Sequence, residues 1–85
     1  MRTALYRFYS RSDRLLYVGI TGDPSARFSA HRHTQPWWEE VATIRIERFP
    51  TRDEAARAEV VAIQTERPKY NRTHAITNTG TLRLR

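Results

Sequence analysis

Glu59 stands where a carboxylate is expensive. On a helical wheel of residues 52–66, Ala55, Ala56, Ala62 and Ile63 gather on one side, with Asp53, Arg57 and Gln64 opposite. Glu59 falls in the middle of the apolar arc, and its alanine neighbours leave space in front of it. Burying a lone carboxylate is prohibitively costly, so it must be paired, protonated or bound to a cation. Two readings stand. An arginine such as Arg27 would make Glu59 half of a structural ion pair. Alternatively, Glu59 would ligate Mg²⁺ or Mn²⁺, because hard cations take oxygen ligands and often use one or two carboxylates beside substrate phosphates.

Two tyrosines and an Arg/His pair raise the same question. Tyr6 and Tyr17 lie on successive strand-like segments, where aromatics either pack across strands or carry chemistry. Arg27 and His31, four apart on a helix, share a face that is either solvated or built for an anion. His31, His33 and His74 lack metal-ligand spacing, which argues against zinc. Neither a phosphate-cradling glycine loop nor a serine-centred nucleophile motif occurs.

The elements that must position these residues follow from periodicity and punctuation. Thr3 to Tyr9 reads as a strand, with Ala4, Tyr6 and Phe8 on one face and Leu5 and Arg7 on the other. A polar Ser10–Asp13 loop leads to a second strand, Leu15 to Ile20. With that loop, Tyr9 faces Arg14 and Tyr6 faces Tyr17. Asp23-Pro24 supplies an N-cap and first residue for a helix running to about His33. Pro36-Trp37-Trp38 begins a short helical turn or loop, and Val41 to Phe49 alternates as a third strand. Thr51 and Glu54 form a capping box for a long helix that Pro68 stops. The expected order is β-β-α-β-α, an α/β domain with a small sheet.

Composition narrows the partners. The 85 residues suffice for one small domain, residues 1–72, with a threonine-rich tail at 73–85 that is an edge strand or loose. Fifteen Lys and Arg against nine Asp and Glu leave a net charge of +6, and every cation except Lys69 is arginine. Arginine's planar fork grips phosphate in bidentate fashion, so a polyanion is one explanation; compositional bias is the other. Absent cysteine excludes disulfide scaffolds, thiolate metal sites and cysteine nucleophiles. No apolar stretch is long enough to span a membrane and no signal-peptide pattern opens the chain, so the expected setting is cytoplasmic.

Taken together, these positions resemble the GIY-YIG nuclease superfamily. Its two motifs are matched by Ala4-Leu5-Tyr6 and Tyr17-Val18-Gly19 in the stretch ALYRFYSRSDRLLYVGIT, which is similar to the N-terminal incision domain of the bacterial excision-repair endonuclease. Arg27 follows ten residues past Tyr17, with His31 one turn later. The second half of the resemblance places the family's metal-binding glutamate at Glu59 and its closing Pro-x-Tyr-Asn at Pro68 to Asn71. Ala4 replaces the glycine of the first triplet, a departure that bears on close backbone approach there.

The resemblance implies a three-stranded antiparallel sheet flanked by helices and one-metal hydrolysis of DNA phosphodiesters. Glu59 would hold Mg²⁺ or Mn²⁺, and Arg27 would neutralise the transition state. Tyr6 would help activate water, Tyr17 would position water or phosphate, and His31 would serve as a base. Asn71 would fix geometry beside Glu59. DNA would be met mainly through its phosphates, and no appended DNA-recognition domain is present, so a targeting protein is an expected partner. Oligomeric state is not legible. The competing reading is a non-catalytic nucleic-acid-binding module with the same fold.

Overall fold

The computed structural model describes residues 2–71. Strand β1 (Thr3–Tyr9) is central, with β2 (Leu15–Thr21) and β3 (Thr43–Phe49) antiparallel on either side. Helix α1 (Pro24–Thr34) follows β2, a 3₁₀ segment (Pro36–Glu40) leads into β3, and α2 (Arg52–Glu66) closes the fold. This is the β-β-α-β-α order and three-stranded antiparallel sheet read from the sequence. The third strand begins two residues later than expected, at Thr43, and the 73–85 tail lies outside the described residues. No helix among the described residues is long and apolar enough to cross a membrane.

Being central, β1 is packed on both faces. Ala4, Leu5, Tyr6 and Phe8 are all buried, so both sets of its alternating side chains are core. On one face Leu5 and Val18 meet Ala62 of α2, with Ile20, Phe49, Ala58 and Ile63 around them. The alanines of α2 let the helix lie close to the sheet. Arg7 then ties β1 to the end of that helix, donating from Nε and Nη2 to the two Glu66 oxygens at 2.9 Å each. On the opposite face Tyr6, Phe8, Leu16 and Trp37 form a second, aromatic cluster flanked by Phe28, Trp38 and Tyr70.

The helix ends follow local chemistry. Asp23 caps α1 by accepting from the Ala26 N–H at 3.2 Å, with proline in the first turn. Thr51 Oγ1 caps α2 by accepting from the Glu54 N–H at 3.2 Å. The Glu54 carboxylate meets the Thr51 hydroxyl at 3.1 Å, so the box closes side chain to side chain. Arg67, left-handed at φ 51°, ends α2 ahead of the buried Pro68.

The hairpin register departs from expectation. Its loop spans Ser10 to Arg14, with Asp13 left-handed at φ 64°. Tyr9 pairs with Leu15 but Phe8 pairs with Tyr17, so Leu16 is an extra residue bulged into β2. Tyr6 therefore faces Gly19, not Tyr17. The offset is two residues along β2, an even number, and so keeps Tyr17 on the same sheet face as Tyr6.

Candidate active site

Tyr6 occupies the middle of the central strand, and its ring lies over Gly19. A Cβ at position 19 would sit 2.5 Å from Tyr6 Cζ, so only glycine leaves the phenol this seat. The ring stacks at 6.2 Å from Tyr17 and meets Phe28 edge-on at 5.1 Å. These neighbours hold it in place and exclude water, leaving Tyr6 fully buried.

Helix α1 brings two polar groups to that buried hydroxyl. Tyr6 Oη lies 2.8 Å from His31 Nε2. Arg27, one turn earlier, donates from Nε to the same oxygen at 3.4 Å. The i, i+4 spacing legible in the sequence thus converges on one atom. Since arginine only donates, the arrangement suits a histidine protonated on Nδ1, with Nε2 accepting the tyrosine proton.

Burial sets the protonation of the cluster. It pushes the Tyr6 phenol up to about 12; the Arg27 hydrogen bond opposes it, while Tyr17 and Glu59 add to it. Tyr17 is raised by burial as well, against the pull of Arg27. His31 is driven down to about 4, by burial first and then by the Arg27 charge. Arg27, bonded to Tyr6, is held still more firmly as a cation. At neutral pH the cluster is therefore a neutral phenol, a neutral imidazole and an exposed guanidinium. The pKa near 6.5 that made His31 an attractive base in the sequence does not survive its burial.

Glu59 is half-buried on α2, among the alanines that the wheel placed around it. Its charge reaches both phenols, raising Tyr6 and Tyr17 alike. Among the described residues, no three His, Cys, Asp or Glu side chains gather into a metal cluster. A single carboxylate suits a hard cation that completes its shell with water and phosphate oxygens, and does not suit zinc.

Asn71 meets the outer edge of β2 at Val18, between Tyr17 and Gly19 in the chain. Its Oδ1 accepts from the Val18 N–H at 2.8 Å and its Nδ2 donates to the Val18 carbonyl at 3.0 Å. Beside it, the Tyr70 N–H donates to Leu16 O at 2.8 Å. The side chain thus substitutes for a missing strand partner, fixing β2 between Tyr17 and Gly19. Trp37 is the residue whose part was not legible. It stacks between Tyr17 at 5.3 Å and Tyr70 at 5.2 Å, walling one side of the tyrosine pair. Only the adjacency of two tryptophans hinted at it.

A hairpin bearing two tyrosines, a helix bearing Arg27 and His31, and a second helix bearing Glu59 thus bring their charges and hydrogen bonds to bear on the same two phenols. The family model for the GIY-YIG catalytic domain matches residues 2–71. The chain belongs to the GIY-YIG family, a superfamily of nucleases. Comparison with curated proteins and with solved structures gives no match.

Proposed function

We propose that this domain is a metal-dependent endonuclease that hydrolyses DNA phosphodiesters, with Tyr6 at the centre of a proton relay. The observation that carries this reading is the Tyr6 hydroxyl held between the Arg27 guanidinium and the neutral His31 Nε2. A phenol at about 12 is a poor free base at neutral pH. With the exposed Arg27 side chain drawn to a substrate phosphate, a water could reach the hydroxyl. The hydroxyl would then accept the water's proton while passing its own to His31, so that no phenolate accumulates. Arg27 supports this twice, by polarising the phenol and by offering an exposed cation to the charge that builds on the phosphorane oxygens. An arriving phosphate would also make a protonated His31 less costly beside Arg27. Tyr17 would orient the phosphate or the water, and Asn71 would hold its strand in register.

Glu59 is the carboxylate that would hold Mg²⁺ or Mn²⁺. When bound, such an ion supplies Lewis-acid stabilisation to the scissile phosphate and the leaving oxygen. DNA would be gripped by arginines through phosphates, so affinity would fall steeply with salt and depend little on sequence.

Incubation of supercoiled plasmid with the protein tests this directly. Nicked plasmid should accumulate with Mg²⁺ or Mn²⁺ and not in EDTA. Retention of DNA in a gel shift without cleavage under either metal would instead support the binding-only module.

A further inference from the structure

The two edges of the sheet are finished differently. The outer edge of β2 is covered by Lys69 to Asn71, whereas no described residue pairs with the outer edge of β3. Val18 turns its N–H and C=O outward to Asn71, so its partner Arg7 turns its own groups toward β3 and Arg45. By alternation, Ile44, Ile46 and Arg48 present theirs outward. Six of the seven β3 residues are exposed, including Ile44 at 38% and Ile46 at 43%. An open edge bearing two isoleucines is a template for another strand.

The charges on β3 select which strand. In antiparallel pairing of β3 with a second β3, outward-facing residues must meet outward-facing residues. Pairing Ile44 with Ile46 sets Arg45 against Arg45, and pairing Ile46 with Arg48 sets Glu47 against Glu47. Pairing Ile46 with Ile46 sets Arg45 of each copy against Glu47 of the other, and Ile44 against Arg48. Only this last register is complementary, and it repeats the complementarity across a two-fold axis. Glu47 also meets Arg7 at 3.4 Å within its own chain, and Arg45 lies over Tyr9, both from the same sheet face on which they would meet each other.

We propose that β3 is a homodimerisation edge, pairing antiparallel about Ile46 with a second copy of this chain to form a continuous six-stranded sheet. Even-numbered residues of β1 and β3 in both copies then share one face. Tyr6 is in register with Ile46, so the two Tyr6 residues lie in one row across the sheet, about 15 Å apart at the usual strand spacing. Resting on the nuclease reading, this would present two sites to one side of a single duplex. The association itself does not depend on that reading.

Sedimentation of the full chain over micromolar to millimolar concentration tests the pairing without any cleavage assay. The wild type should self-associate reversibly to a dimer. Arg45→Glu and Glu47→Arg should each weaken self-association by roughly tenfold or more, since each turns both cross-strand pairs repulsive. Mixing those two variants should restore dimers, because every pair becomes complementary in the heterodimer. Circular dichroism of each variant, showing a native sheet, keeps the comparison valid. Should one variant fail to fold, Ile46→Pro serves in its place, deleting an outward N–H and predicting a monomer. A wild type that stays monomeric at millimolar concentration overturns the proposal, as does a dimer indifferent to these substitutions or a mixture that fails to pair.

Discussion

The two faces of the sheet are built for different ends. Toward α2, Leu5 and Val18 pack on Ala62, with Ile20, Phe49, Ala58 and Ile63 around them; the half-buried Glu59 and the Arg7–Glu66 ion pair are the charged exceptions on this side. Toward α1, the same strands bury Tyr6 and His31 among Phe8, Phe28 and Trp37, with a hydroxyl and an imidazole sealed inside. The first face gains its stability mainly from apolar contact. The second gives up part of that gain to hold polar atoms at fixed distances, which is tolerable because each satisfies the other. One strand, β1, serves both, so Tyr6 sits one position from the core residue Leu5.

This division predicts effects that separate. The largest concerns the α2 face. Leu5→Ala should cost about 2–5 kcal/mol in urea unfolding, a large share of a small domain's stability. Cleavage per folded molecule should stay near wild type, and a specific loss of rate would show that the faces are coupled.

Next in size is the acid response of the site face. The His31 pKa is about 4 in the folded protein against 6.5 as the ordinary value. As pH falls through that window, the unfolded chain takes up a proton that the native imidazole refuses, so stability drops by roughly 3 kcal/mol. Above pH 6.5 the contribution is constant. His31→Gln should flatten this part of the profile in denaturation measured from about pH 7 to 4; an unchanged slope would place the acid sensitivity elsewhere.

Tyr6→Phe should have the smallest effect on stability. The ring keeps its seat over Gly19 and the loss is the hydroxyl's bonds to His31 and Arg27, about 1–3 kcal/mol by thermal unfolding. Nicking should nevertheless fall by about a hundredfold or more as the relay is cut. Equal losses in both readouts would make Tyr6 a packing residue.

Much of this was legible because it is local. Strand alternation assigned β1 its two faces, Asp23-Pro24 and Thr51 marked the helix starts, and the spacing of Arg27 and His31 put both on one face. The wheel found Glu59 by its misfit. What escaped depends on contacts remote in sequence. The five-residue loop and the Leu16 bulge arise from pairing that no periodicity reports, and each shifted the register by one residue, together moving Tyr6 from Tyr17 to Gly19. Asn71 reaches Val18 across 53 positions, and Trp37 finds Tyr17 and Tyr70 only once the chain is folded. Protonation was the least legible of all, since burial pushed Tyr6 and His31 away from their ordinary pKa values in opposite directions.

Glu59→Gln offers the most direct trial of the catalytic reading, with plasmid nicking and thermal unfolding measured on one preparation. The substitution keeps the size of the side chain and removes its charge. Losing a metal ligand removes several kcal/mol of transition-state stabilisation, so nicking should fall by more than about a hundredfold. The melting temperature and DNA retention should remain near wild type. A variant that melts many degrees lower yet nicks plasmid at the wild-type rate would contradict that role and leave Glu59 a structural residue.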